Sequence, residues 1–398
     1  MPQPTPSPRG VPRVVIVGAG IGGLAAAVAL RRVGIEAEVY ERAEALRPAG
    51  SGLSVMANAL LALRALDIDL GLEKRGRTIG RSDLLDARGR TLRSMPFREA
   101  GERLGAPSVL LYRGDLQAAL LDALGDGKVH LGAAATGYEV TDAGVRVRFR
   151  DGREAAGDVL IGADGINSVV RAQRAGAEPP REAGYICWLS VTPFEHPRFT
   201  EGFNAHYWGR GRRFGLHDVG HGRAYWWGTR NMPAEAARAW DGDKEQVLRA
   251  FDGWADEVRA AIGSTPAEAI IGVPARDRPF LEQWGDGPVT LLGDAAHPML
   301  PSLAQGGSSA IEDAVVLAQC LRAHSEPVAA LRAYEDLRRD RTRELVEVSR
   351  RFSGTEQLDH PVLCALRDLY LRFGPQAALF KPFERALTPQ LLTEGAQA

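Results

Sequence analysis

Val14-Val15-Ile16-Val17-Gly18-Ala19-Gly20-Ile21-Gly22-Gly23 opens the readable part of the chain, and Val39-Tyr40-Glu41-Arg42 answers it, with Glu41 eighteen positions after Gly23. The apolar run reads as a strand, the alanine-rich Leu24 to Arg32 as a helix, and Ala37 to Tyr40 as a second strand. In such a unit Gly18 lets the chain turn sharply. Gly20 lets a pyrophosphate approach the backbone at the helix N-terminus, and Gly23 lets helix and strand pack closely. Glu41, at the end of the second strand, is placed to accept hydrogen bonds from ribose hydroxyls. Its charge disfavours the 2′-phosphate of NADP, so the nucleotide read here is NAD or FAD. A glycine turn alone recurs by chance, but the strand, helix, second strand and acid in order make a dinucleotide site.

The bulk of the chain bounds the rest. A length of 398 residues predicts two domains, and 45% hydrophobic with 25% charged residues is an ordinary globular balance. The net charge of −1 comes with no basic stripe, which argues against a nucleic-acid partner. Cys187, Cys320 and Cys364 form no metal or redox spacing, so buried packing in a reducing compartment is expected, with no metal. Residues 1–12 are proline-rich and lack the apolar core of a signal peptide, so they read as a disordered tail. No apolar run approaches the ~20 residues that span a bilayer, which predicts no membrane span and a cytoplasmic protein.

Pro48 to Leu53 reads as a glycine-rich loop, followed by helices over about Asn58 to Leu66 and Gly114 to Leu124. From Gly137 the apolar period becomes two, and Asp151-Gly152 marks a hairpin, which predicts an antiparallel meander. Asp158 to Ala163 then reads as a buried parallel strand. Residues 183–273 are aromatic and β-branched between glycine-rich turns, a second sheet. Val289 to Asp294 returns as a buried strand, and helices over about Gly307 to Leu321 and Pro327 to Arg351 follow. One amphipathic helix, Leu363 to Phe373, is expected in the last forty-odd residues.

Two later segments sharpen the reading. Ile161-Gly162-Ala163-Asp164-Gly165-Ile166-Asn167-Ser168 and Gly293-Asp294-Ala295-Ala296-His297-Pro298-Met299-Leu300-Pro301, running on to Gln305-Gly306-Gly307, both follow strands. Ligands of open α/β sheets sit at such strand ends. Asp294 is a hydrogen-bond acceptor at a strand end, suited to ligand hydroxyls, and Pro298 and Pro301 stiffen the loop beyond it. Gly306 and Gly307 open a helix whose N–H groups can meet a developing negative charge. Pro298 and His297 are the candidate catalytic residues, with a lock on the loop as the plainer role for the imidazole.

Together the three motifs resemble the class A flavoprotein monooxygenases, the single-chain FAD hydroxylases of the p-hydroxybenzoate hydroxylase type. The nearest look is to the branch with urate hydroxylase, 3-hydroxybenzoate 6-hydroxylase and zeaxanthin-epoxidase-like enzymes. The resemblance covers nearly the whole chain after its tail. It implies an α/β fold with a Rossmann-like FAD-binding domain of the GR2 type, an inserted sheet-based substrate domain and a C-terminal helical segment. The FAD domain is expected over 13–76, 101–182 and 274–354, the substrate domain over 77–100 and 183–273, and the helical segment over 355–398. It also implies that Gly18, Gly20, Gly23 and Glu41 hold the ADP half of FAD, with Arg42 near the adenine. Gly52, Arg113, Asp164, Gly165, Asp294, Pro301, Gly306 and Gly307 complete the cofactor set.

The implied cycle consumes NADPH or NADH and O₂ without a metal, and a flavin C4a-hydroperoxide hydroxylates an electron-rich aromatic or heteroaromatic ring. Candidate pocket walls are Cys187, Leu189, Phe214, Leu216, Tyr225 and Trp227, which alternate, so one parity faces the flavin. Arg213 and His217 can orient a ring, although solvated strand positions are the plainer expectation, as they are for Arg210 and Arg212. Two departures from the family pattern stand out. Ala304 replaces a glycine of Pro-x-x-Gly-Gln-Gly, and Leu189 stands where relatives carry Arg in Trp-Arg-Gly, which points away from a carboxylate substrate. Alternatives are an epoxidase of an activated alkene, or a flavin oxidase or halogenase on the same fold. The halogenase run Trp-x-Trp-x-Ile-Pro is absent, paired cysteines for a dithiol reductase are absent, and a non-enzymatic escort would lack bound flavin. The oligomeric state stays open.

Overall fold

A computed structural model describes residues 11–46 and 51–391. Met1 to Gly10 of the expected tail, and Pro48 to Gly50 of the expected loop, lie outside them.

Val14–Val17 is buried at every position, as a strand covered on both faces must be. It is the centre of a five-stranded parallel sheet, flanked by Val159–Gly162 and then Val289–Leu291 on one side, and by Ala37–Tyr40 and then Val129–His130 on the other. The helix Ile21–Arg32 lies on one face. A side chain at Gly22 would strike Leu292 and Ala310, so this helix and Gly306–Ala323 approach through small residues. The meander is a three-stranded antiparallel sheet of Ala135–Thr141, Gly144–Phe149 and Glu154–Gly157.

A second sheet has seven strands in the order Ile271–Asp277, Arg181–Pro193, Arg223–Asn231, Arg212–Asp218, Asn204–Trp208, Ser82–Asp86, Thr91–Met95. All its pairings are antiparallel except that of Asn204–Trp208 with Ser82–Asp86. Its alternating side chains separate two environments. Ile186, Trp188, Phe214, Leu216 and Trp226 pack with Phe251, Val258 and Ile262 into an apolar core of their own. The opposite face looks toward the parallel sheet.

Two expectations need correction. Gly52 and Leu53 are not loop: Gly52–Val55 is a strand paired with Val109–Tyr112, and the Gly52 position lies against the Tyr225 ring. The C-terminal region holds two helices beyond Pro327–Glu356, namely Pro361–Phe373 and Gln376–Leu387. Phe380 and Phe383 of the last helix meet Phe97 at ring distances of 5.3 and 6.1 Å, which docks the C-terminal region onto the body. Among the described residues no helix is long and apolar enough to cross a membrane.

Candidate active site

At the end of Val14–Val17 the backbone of Gly18 takes φ +107°, and an added Cβ would lie 2.4 Å from the Ala163 carbonyl oxygen. A Cβ on Gly23 would lie 1.9 Å from the Gly18 carbonyl oxygen. These two glycines let the turn, the helix and the neighbouring strand end meet. Gly20 is different: nothing lies within 4 Å of an added Cβ, and the helix it opens has no side-chain cap. Unpaired N–H groups therefore face open space, a cradle for an anion. The Glu41 carboxylate is held in place by the backbone N–H groups of Ala19 (2.8 Å) and Ala43 (2.9 Å), leaving lone pairs for hydroxyl donors. Arg42 is exposed beside it.

Asp164 follows Val159–Gly162. Its Oδ2 accepts from the Val169 N–H at 2.7 Å, while Oδ1 is buried with no partner. Burial pushes this carboxyl above its ordinary range, against the hydrogen bonds from Ser168 and Val169. Gly165 beside it takes φ +77°.

The loop after Val289–Leu291 is braced from behind. Asp313 accepts from the Gly293 N–H (3.1 Å), from His297 Nε2 (2.6 Å) and from Arg338 Nε (2.7 Å), and Arg338 also binds Glu312 at 2.5 Å. All four side chains are buried, and for Asp313 burial is outweighed by His297 and Arg338, which hold its carboxyl low. His297 thus points away from the cavity into this bracket, and Pro298 is buried with it. Asp294 projects the other way. It lines the cavity and accepts no hydrogen bond from the described residues. Surrounding protein pushes its carboxyl up, opposed by His297 and Arg113. Arg113, at the start of Arg113–Leu124, is exposed. Ala304, where the family pattern has glycine, takes φ +53°, a left-handed conformation that glycine adopts at no steric cost. Gly306 and Gly307 then open Gly306–Ala323 with no side-chain cap.

Asp294, Pro301, Gly306, Gly307 and Gly52 form one end of a cavity of about 370 Å³. The seven-stranded sheet forms its wall. Cys187, Leu189, Arg213, Tyr225 and Trp227 face into it, whereas Phe214 and Leu216 sit on the other face in the separate core. Those two candidate walls are corrected by the period of two along a strand. Arg213 and His217 are not solvated either: they are 3% exposed, and of their neighbours Arg212 is half-buried while Arg210 is exposed.

Arg213 pairs with Glu356 at 2.6 Å, both side chains buried, and its guanidinium lies 5.2 Å from the Trp227 ring centroid. Glu356 Oε2 also accepts from Ser302 at 2.6 Å. Trp227 Nε1, which can only donate, reaches His217 Nε2 at 3.0 Å, and His217 Nδ1 reaches Asn204 Oδ1 at 2.8 Å. His217 is therefore a neutral imidazole protonated on Nδ1, and burial together with His206 lowers its pKa. His206 lines the cavity beside it, and burial and Arg213 push its pKa down to about 4. The Cys187 thiol is pushed up to about 12 by burial and stays protonated.

Sequence reasoning missed Asn204, His206, Glu356 and the apolar end formed by Phe352, Leu371, Leu379 and Phe383. Strand parity counted from Trp208 points to His206; nothing local points to Glu356, which comes from the end of a charged helix. The residues present fit FAD. Two uncapped helix starts, a partnerless Asp294 and a free Asp164 oxygen match its phosphates, ring and hydroxyls.

Comparisons with known proteins agree. The family described as FAD binding domain matches residues 12–349. A curated aurachin C monooxygenase/isomerase of Stigmatella aurantiaca is 40% identical, over 90% of this chain and 93% of its own. A 3-amino-4-hydroxybenzoate 2-monooxygenase of Streptomyces cremeus is 35% identical, over 90% and 91%. The crystal structure of Klebsiella pneumoniae HpxO with FAD and uric acid superposes with a TM-score of 0.89 at 31% identity, over 94% of this chain and 96% of that one.

Proposed function

Since the chain belongs to this family of FAD-dependent, single-component monooxygenases, we propose that it inserts one oxygen atom into an uncharged, electron-rich aromatic or heteroaromatic molecule. The observation that carries this reading is the cavity itself. It meets Asp294 and the Gly306 helix start at one end, and its sheet wall presents a cation already neutralised by a carboxylate.

When bound, FAD would supply the redox chemistry: hydride acceptance from NADPH or NADH and activation of O₂. The chain's own residues hold and shield. Gly20 and Glu41 receive the diphosphate and a ribose, with Gly18 and Gly23 shaping their turn, and Arg42 stands at the adenine side. Asp164, Gly165 and Arg113 border the middle of the dinucleotide. Asp294 would accept from ribityl hydroxyls, and the uncapped helix start at Gly306 and Gly307 would offer N–H groups to negative charge on the ring. Pro298 and His297 keep the Pro301 turn rigid from behind.

Tyr225 and Trp227 offer flat faces to a ring, and Cys187 and Leu189 supply apolar contact. His206, neutral at ordinary pH, accepts a hydrogen bond from a ring O–H or N–H, which leaves more electron density on the ring. Phe352, Leu379 and Phe383 exclude water from the far end. Neither nicotinamide is favoured over the other, because Glu41 faces the ribose of FAD.

The test is a panel of paired phenols, indoles, quinolones and purine-like rings with and without a carboxylate. It is scored by stimulated NAD(P)H oxidation together with a product one oxygen heavier. Coupled product from neutral members is expected. Coupled product from benzoates alone, with neutral rings inert, rejects the uncharged substrate.

A further inference from the structure

Glu356 is the last residue of Pro327–Glu356. A carboxylate there faces the negative end of its own helix, and it is 4% exposed, so neither helix stability nor solvation favours it. Burial pushes its carboxyl up, against Arg213, Ser302 and Arg367. Its two oxygens are used in different directions: Oε1 on Arg213 of the sheet wall, Oε2 on Ser302 of the turn that borders the flavin end. Arg213 is the cationic side chain among the described residues lining the cavity, and its Nε is buried with no partner. Left alone, that guanidinium is a carboxylate anchor, since its fork matches two carboxylate oxygens. Glu356 occupies it from within the protein.

We propose that Glu356 determines the charge class of the substrate: by filling and neutralising Arg213 it bars aromatic carboxylates from a pocket that the arginine alone would open to them. This rests on the reading of the cavity as the substrate site. A carboxylate entering beside the intact pair would meet the Glu356 charge at close range in a poorly solvated space. With glutamine at 356 the amide keeps its reach to Ser302 and Arg213 but carries no charge, so the guanidinium is no longer neutralised and an incoming anion meets a net positive wall.

The experiment uses the FAD-loaded enzyme without NAD(P)H and follows the perturbation of the bound flavin spectrum. Matched pairs are titrated: 4-hydroxyquinoline and its 2-carboxylate, indole and indole-2-carboxylate, benzamide and benzoate. The wild type is expected to bind the neutral member of each responding pair more tightly. Glu356→Gln should shift the ratio toward the carboxylate by about ten- to a hundredfold, the range of one charge-assisted hydrogen bond gained. The double variant Arg213→Gln/Glu356→Gln should lose that gain. If the glutamine variant does not retain FAD, Glu356→Met repeats the test without a polar group.

A carboxylate ratio within about twofold of wild type in a variant that holds FAD overturns the role of Glu356, while the uncharged-substrate reading stands if the wild type still discriminates. A wild type that binds both members equally, or no response from any pair, rejects that reading and the inference with it.

Discussion

Asp294 and His297 lie three positions apart in one loop and point in opposite directions. Asp294 makes no bond to the described protein and faces the cavity, while His297 is buried against Asp313. Asp294→Ala should therefore cost flavin affinity, on the order of 1.5–3 kcal/mol for a lost charge-assisted bond, with the melting temperature of the apoprotein nearly unchanged. His297→Ala should do the reverse, lowering the melting temperature and keeping most flavin. Equal flavin content in both variants, measured after gel filtration, rejects the division. Ala304 offers a second test. A non-glycine residue at φ +53° costs about 1–2 kcal/mol, while glycine adds about 0.4–1 kcal/mol of unfolded-state entropy. Ala304→Gly should thus raise stability by roughly 0.5–1 kcal/mol in chemical denaturation, the difference of those two effects. A destabilised variant would show that the alanine methyl packs usefully.

At the scale of elements, the first strand-turn-helix separates two uses of glycine. Gly20 has extended backbone and open space around it, so Gly20→Leu should fold normally, with an unchanged far-ultraviolet spectrum, yet hold no FAD. Gly18→Ala puts a Cβ into the Ala163 carbonyl at positive φ and should destabilise the protein itself. A Gly20→Leu protein that still purifies yellow places the diphosphate elsewhere.

This unit was legible because its signals are local: an apolar run, glycines at fixed spacing, an acid at the next strand end. The meander and the buried strands 159–162 and 289–291 were legible for the same reason, as was the alternation of Cys187 and Leu189 with their neighbours. Which parity faces the cavity was not. Both faces of the seven-stranded sheet are buried, one against its own helices and one toward the cavity, so aromatic residues occur on each. The strand at Gly52–Val55 was hidden because its glycine is there to admit the Tyr225 ring, a contact 173 positions away in the chain. The pairing of Arg213 with Glu356 was hidden likewise, since only the docking of the long helix brings them together.

Across the whole molecule, the cavity is a product of three regions that no single segment contains. The strand-end loop 293–307 brings the flavin end, the seven-stranded sheet brings the aromatic wall with its buried ion pair, and the C-terminal helices close the apolar end through Phe352, Leu371 and Phe383. On the proposed reading, a flat neutral ring would be held between FAD and this water-poor wall, the arrangement that coupled oxygen transfer requires. The most direct test is one turnover of the purified, FAD-loaded enzyme with NAD(P)H under ¹⁸O₂, using whichever neutral ring most stimulates NAD(P)H oxidation. One labelled oxygen atom in the product for each NAD(P)H consumed is the result predicted. Hydrogen peroxide released in full with every neutral ring, or a product oxygen drawn from water, would contradict it.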